Sequence, residues 1–235
     1  MVSVCMASKN GEVYLGAQLE SILHQLSPED EVVICDDCST DGTVDFIRTL
    51  HDPRIRLLQN DWPKGITKSF EASLNAARGE FIFLADQDDV WKPEKVTVTL
   101  QHLHKHDMVI SDCILVDHAL QPTKNSFFLF NRSGKGLIRN IYRNSYMGCC
   151  MAFNRRVLTR ALPFPDDTPM HDFWLGLIGE LYFDVCFVPQ ALIYHRRHSS
   201  NASSTGTRSR RHLHKKIQAR YRIVKNLFFH KFYAA

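Results

Sequence analysis

Gly79-Glu80-Phe81-Ile82-Phe83-Leu84-Ala85-Asp86-Gln87-Asp88-Asp89 is the stretch that decides the fold. The run Phe81–Ala85 is short and apolar without alternation, the pattern of a parallel strand covered on both faces. It ends on three carboxylates within four residues. Working outward, Val2–Met6 and Glu31–Cys35 repeat the pattern, the second closing on Asp36-Asp37, and Arg54–Gln59 is expected as a further strand. Between the strands, apolar residues recur at helical spacing. Tyr14, Leu15, Leu19, Ile22, Leu23 and Leu26 follow a cap at Asn10, and Val44, Ile47 and Leu50 follow Thr40-Asp41. Ile66, Phe70, Leu74 and Ala77 predict a third helix, ended by Gly79 in the left-handed conformation. Strand and helix alternating at this rhythm predict an α/β fold with a doubly wound sheet. In such sheets ligands bind outside the carboxyl ends of the strands, where the acidic residues gather.

The second half is less regular. Pro93 opens a helix through Leu103, Met108–Cys113 and Cys149–Phe153 read as strands, and Arg155–Leu162 and Asp172–Leu181 as helices. Residues 117–136 form a polar connection dotted with aromatics, expected as a lid. Val185–Val188 and Leu192–His195 are two late strands, and Ser199–Ser209 is a linker. Leu213, Ile217, Tyr221, Val224 and Phe228 line one face of a basic helix.

At 235 residues, 44% hydrophobic and 23% charged, the chain can bury a sizeable core, which excludes wholesale disorder. It has no apolar run of about 18 residues that would span a membrane. Met1–Met6 lacks the basic start of a signal peptide, and seven cysteines without framework spacing suit a reducing compartment, so the cytosol is the expected location. Residues 185–235 hold 11 of the 29 Lys and Arg and none of the 25 acidic residues. An acidic body with a basic tail is not the profile of a nucleic-acid binder. It suits a body that gathers cations and a tail that meets an anionic surface.

Asp86, Asp88 and Asp89 repel one another and stay charged together only beside a cation or donors. Hard oxygens suit Mg²⁺ or Mn²⁺, often gripping a substrate diphosphate; a solvated acidic turn is the bland alternative. Asp37 could accept from a base N–H or a ribose hydroxyl, with Thr40-Asp41 capping the next helix. Asp172, at a helix start after a proline-rich loop, is either a base or a cap. Cys35 and Cys38 match a redox or zinc spacing, but with no second pair they, like Cys149-Cys150, read as small buried hydrophobes. His102, His104 and His106 alternate, so a helix would splay them apart as solvated surface.

Five blocks in register resemble the family 2 glycosyltransferases with the GT-A fold. These are Val2–Glu12, Asp36–Thr43, Gly79–Asp89, then Gly148–Arg155 with His171-Asp172, and finally Tyr194–Asn201. The resemblance covers about residues 1–201 and implies one Rossmann-like mixed sheet flanked by helices. It places a nucleotide-binding half at about 1–110, an acceptor-binding half at 111–201, and a linker with a basic helical tail at 202–235.

The resemblance also implies roles. Ala7, Ser8 and Asn10 would cradle the nucleotide of a nucleotide-sugar donor, and Asp37 would bond its base. Lys64 and Gly65 would approach the nucleotide or diphosphate. Asp86 would lie by the ribose and metal, and Asp88 would hold Mn²⁺ or Mg²⁺ against the diphosphate. Asp172 would be the base that deprotonates an acceptor hydroxyl, giving an inverting displacement, while Arg196 and His198 support the departing phosphates. Two departures matter. Ala7-Ser8-Lys9-Asn10 stands where the family often has Pro-Thr-Tyr-Asn, and the Gln-x-x-Arg-Trp block of processive synthases is absent, which favours addition of one sugar. Asp-Gln-Asp-Asp before Val-Trp-x-Pro-Glu-Lys is similar to bacterial rhamnosyltransferases, so dTDP-rhamnose is the first expected donor, with UDP-hexoses open. The acceptor is expected to be a glycan or lipid-linked glycan of a bacterial O-antigen, capsule or other surface polysaccharide.

Other readings stay open at this level. The basic helix would lie on an anionic membrane, on the catalytic body, or on a second subunit in a homodimer. The alternatives are a nucleotidyltransferase on a similar sheet, against which stands the lack of a Gly-rich, basic first loop for a triphosphate (only Lys9 and Gly11 are there), and a non-catalytic membrane-associated scaffold, against which stands the retention of all the acidic positions.

Overall fold

The computed structural model describes residues 1–198 and 213–233. In chain order the elements are β1 (Val2–Ser8), α1 (Glu12–Leu23), β2 (Glu31–Asp36), α2 (Thr43–Thr49), β3 (Ile55–Gln59), α3 (Ile66–Ala76), β4 (Phe81–Ala85), β5 (Val90–Trp91) and α4 (Lys95–Leu103). There follow β6 (Met108–Val116), β7 (Pro122–Lys124), α5 (Phe127–Asn131), α6 (Leu137–Tyr142), β8 (Met151–Asn154), α7 (Leu158–Ala161), α8 (His171–Tyr182), β9 (Val185–Arg196) and α9 (Leu213–Tyr233).

One mixed sheet runs through both halves in the order β3-β2-β1-β4-β8-β6-β9-β5, with β7 paired to β6. The strands β3, β2, β1 and β4 are parallel. Antiparallel β8 then separates β4 from β6, and β9 runs parallel to β6. This is the expected α/β architecture with helices on both faces. The parallel strands are buried residue after residue because helices cover both sides, as their unalternating sequences require. The carboxyl ends of β1, β2, β4, β6 and β9 share one edge, which also receives the residues that precede β8.

Several local expectations change for stated reasons. The first helix starts after Gly11, not at a cap on Asn10, which takes φ +49° and uses its side chain to accept from the Thr40 amide at 2.8 Å. Asp41 does serve helix starts, accepting from the Thr43 amide at 3.1 Å and the Glu12 amide at 3.3 Å. Gly79 is not a left-handed cap, since α3 ends in extended backbone at Ala77. A Cβ at Gly79 would instead lie 2.7 Å from the Ser3 amide nitrogen, so the glycine permits close approach to β1. The two late strands are one strand, β9. Its ladder with β6 slips between Val188 and Ala191 because Pro189 has no N–H to donate.

The expected lid over 117–136 is tethered to the sheet. Buried Asp112 accepts from the Phe128 amide at 2.9 Å and from the Ser126 hydroxyl, and Ser126 caps α5. The basic tail is helical, but the face expected to be its working stripe points outward: Ile217, Tyr221, Val224 and Phe228 are exposed. Ile223 and Leu227 bury instead, while Arg220 donates to the carbonyls of Ile141 and Tyr142 at 2.9 and 2.8 Å. The linker Ser199–Ser209, the end of the Tyr194–Asn201 block and the side chain of Leu213 lie outside the described residues. Among the described residues no helix is long and apolar enough to cross a membrane.

Candidate active site

The loop after β4 is held from two sides. Gln87 accepts from the Lys9 amide at 2.8 Å and donates to the Lys9 carbonyl at 2.9 Å, locking it to the exit of β1. Gly11 is needed there, because its Cβ would meet the Gln87 amide oxygen at 2.4 Å. Gln18, fully buried on the apolar face of α1, donates to the Asp86 carbonyl at 2.7 Å. A lone glutamine inside the Leu15, Leu19, Ile22 stripe is the signal that could have found this contact.

The three carboxylates of that loop have different fates. Asp89 is fully buried and pairs with His195 Nδ1 at 2.9 Å while accepting from the Arg196 amide at 3.0 Å. Burial alone would lower the His195 pKa, but the charge of Asp89 raises it to about 9, so the imidazole is protonated at neutral pH. It clamps the end of β9 to the acidic loop, a role the sequence reading missed. Asp88 is buried and its Oδ2 lies 2.8 Å from His198 Nε2. Among the described residues no hydrogen bond is formed by the Asp86 side chain. Burial, then the charges of Asp89 and Asp88, push its pKa well above the usual carboxylate range. Burial, then the charge of Asp89, raises Asp88 as well, against the pull of the His198 contact.

This residual repulsion is a test of fit for a divalent ion. Asp86 with Asp88 offers hard oxygens at a strand end, as Mn²⁺ or Mg²⁺ prefers. An alternative donor set, Asp86, Asp89, Cys149 and His195, has ligand atoms within 4.8 Å of one another. It fits a hard cation less well, because Asp89 is already spent on His195 and the Arg196 amide and the set includes a thiol.

Asp172 sits in the first turn of α8, buried, with Oδ1 accepting from the Phe173 amide at 2.6 Å. Burial lifts its pKa to about 6, against the pull of the Phe173 and Gly148 amides. Its charge is felt at Asp86, so the two carboxylates share one region. Gly148, just before β8, lets the start of α8 come close: its Cβ would lie 3.6 Å from that of Asp172. Both readings of Asp172 therefore meet in one residue, a helix-start carboxylate that is also poised near neutral pH.

The remaining expected residues divide. Asp37 is buried and accepts from the Lys64 amide at 2.7 Å, the Gly65 amide at 3.1 Å, Asn60 at 2.9 Å and Lys9 Nζ at 3.3 Å. Burial opposes its ionisation, yet these donors, led by the Lys64 amide, hold its pKa below the usual value. Asp37 thus shapes the 60–65 loop, in which Gly65 takes φ +85° and Lys64 Nζ lies 4.7 Å from the Trp62 ring. Ala7 is half-buried, and the Ser8 hydroxyl donates to Asp36 at 3.0 Å. Arg196 is engaged within the protein. Its buried guanidinium donates to the carbonyls of Asp88 and His118 at 2.9 and 2.6 Å and packs 4.7 Å from the Tyr14 ring centroid. These contacts brace the loop. His198 stacks on the same Tyr14 ring at 4.7 Å.

Comparison with known proteins agrees with this geometry. The pattern described as Glycosyl transferase family 2 matches residues 3–161. The chain is 27% identical over 173 residues to UDP-Glc:alpha-D-GlcNAc-diphosphoundecaprenol beta-1,3-glucosyltransferase WfgD of Escherichia coli, covering 70% of this chain and 64% of that one. It therefore spans less than two thirds of that relative. Among solved structures, S. aureus TarS 1–349 in complex with UDP-GlcNAc superposes with TM-score 0.73 at 21% identity, over 96% of this chain and 66% of TarS. The mannosyltransferase PcManGT from Pyrobaculum calidifontis, in complex with GDP-Man and Mn²⁺, gives 0.63 at 20% identity, over 87% and 58%. These likenesses bear out the expected GT-A fold. With the pattern covering more than half of its length, the chain belongs to glycosyl transferase family 2.

Proposed function

We propose that this chain is a metal-dependent, inverting glycosyltransferase that moves one sugar from a nucleoside-diphosphate sugar to a hydroxyl of a bacterial surface glycan. The observation that carries the reading is a buried Asp172, with a pKa of about 6, sharing one sheet edge with Asp86 and Asp88, two carboxyls whose pKa values are raised by burial and by the charge of Asp89. Asp172 takes the proton of the acceptor hydroxyl as that oxygen bonds the anomeric carbon. The bond from that carbon to the diphosphate oxygen breaks, and the electron pair leaves with the nucleoside diphosphate. A divalent ion held by Asp86 and Asp88 would stabilise the charge gathering on that leaving group. The loop shaped by Asp37, with Lys64 and Gly65, and the β1 exit at Ala7, Ser8 and Asn10 flank the place for the nucleotide.

For the donor, the relative named above uses UDP-Glc, which favours a UDP-hexose over dTDP-rhamnose. Thermal-shift titration tests this: UDP-hexoses with Mn²⁺ raise the melting point, by about 2.7 kcal/mol of stabilisation at a hundredfold excess over Kd. If dTDP-rhamnose alone shifts the transition, the donor assignment falls. If no nucleotide sugar does, the enzymatic reading falls too.

The acceptor end points to a cytoplasmic enzyme working against a membrane surface. The outward residues Ile217, Tyr221, Val224 and Phe228 accompany Arg222 and Lys225 on α9, and α6 beside it exposes Ile138 and Tyr142. Apolar side chains with cations suit an anionic bilayer, where each well-placed cation adds about 1 kcal/mol. In vesicle co-sedimentation, Tyr221→Ser with Phe228→Ser releases the protein from phosphatidylglycerol-containing vesicles. A double variant that sediments as well as wild type refutes membrane docking through this face.

A further inference from the structure

At the opposite edge of the sheet, where β6 and β9 begin, His102, His106 and Cys186 each offer a ligand atom within 4.8 Å of the others. We propose that these three side chains form a zinc site, separate from the acidic site and independent of the function proposed above. Cys186 lies ten residues along β9 from Arg196, roughly 30 Å at about 3.3 Å per residue, so the two sites share no ligand.

Local backbone makes the cluster. The helix α4 ends at Leu103, yet the His106 amide still bonds the His102 carbonyl at 2.9 Å. That turn sets His102 and His106 four residues apart on one side. His104 alone turns away, its ring meeting the edge of Phe81 at 5.4 Å. The sequence expectation of three splayed surface histidines therefore holds for one of them. Cys186 comes from β9, brought beside α4 because Met108 pairs with Val185.

The chemistry selects the metal. Two imidazoles and a thiolate are borderline-soft donors that favour Zn²⁺ over the hard cations suited to the carboxylate site. His102 Nδ1 lies 3.9 Å from Cys186 Sγ. In a tetrahedron with Zn–S of about 2.3 Å and Zn–N of about 2.0–2.1 Å, that edge is about 3.6 Å, so closure takes a few tenths of an ångström. His106 Nδ1 is held by Asp184 Oδ2 at 2.5 Å, which leaves Nε2 for the ion. A carboxylate on the far nitrogen of a ligating histidine orients the ring and raises its basicity. Lys135 Nζ, 3.1 Å from Asp184, completes that outer contact. Three protein ligands leave the fourth position to water, and the Cys186 proton passes to solvent on binding. The ion would staple the end of α4 to the start of β9.

Cobalt(II) titration of the full chain, stripped of metal under reducing conditions, tests the site. The wild type and Asp88→Asn both develop thiolate-to-cobalt charge-transfer absorption that saturates at one equivalent and is bleached by Zn²⁺. Cys186→Ser loses the band, and Asp184→Asn weakens Zn²⁺ binding about 10–100-fold. His102→Gln, checked for native circular dichroism, supplies a second reading should the cysteine variant misfold. No charge-transfer band in the wild type, or a band unchanged in both Cys186→Ser and His102→Gln, overturns the proposal.

Discussion

Asp172→Asn lowers the rate of sugar transfer by about 10²–10⁴-fold, the usual worth of one well-placed base, and leaves donor affinity unchanged. The amide is isosteric and can still accept from the Phe173 amide, but it cannot take the acceptor proton. The wild-type pH profile follows from the same group. With a folded-state pKa of about 6, the base is protonated below that value, so the rate rises as pH increases through about 6. Stability runs the other way. A carboxyl whose pKa is raised by folding contributes most below its unfolded value near 3.9, and that contribution is lost as pH rises through about 6. The ionised Asp172 therefore costs about 3 kcal/mol at pH 8. The Asn variant should melt higher than wild type at pH 8 and about equal to it at pH 4. Wild-type transfer rates in the variant would remove Asp172 as the base. Lost activity with a lower melting point at pH 8 would mark it as a structural cap instead.

The second large effect is at the acidic loop. Asp88→Asn removes the response to Mn²⁺ together with activity, a loss of about 10³-fold if the ion supplies about 4 kcal/mol to the leaving group. The check is initial rate against Mn²⁺ concentration, with chelator-treated wild type as the reference. The variant should match the chelated wild type and gain nothing from added metal. A variant that keeps a full Mn²⁺ response would move the ion to the set containing Asp89, Cys149 and His195. The fold is expected to survive the substitution, since the braces of the loop are the Gln87–Lys9 bonds, the Gln18 contact and the Asp89–His195 pair.

The placement of the carboxylates at strand ends was legible because a short unalternating run followed by Asp marks both the strand and its exit. What each carboxylate does there was not. Asp37 and Asp89 look alike in sequence to Asp86 and Asp88, yet Asp37 and Asp89 are saturated by protein donors, Asp88 meets His198, and the Asp86 side chain forms no hydrogen bond among the described residues. Arg196 and His198 sit in one motif, but only the contacts with Tyr14, Asp88 and His118 reveal that both are turned inward. Such distinctions depend on partners 23 to 110 residues away in the chain.

By itself the sequence determined the layered α/β order, the acidic edge, the basic helical tail and the candidate base. All of these follow from local patterns: apolar period, strand length, caps and the sign of charge. Only the tertiary structure decided which way α9 turns its two apolar faces, that β9 continues past Pro189, and that His102 and His106 meet Cys186. Each of these is set by a long-range contact whose free energy belongs to two distant segments together, so no window of either segment carries it.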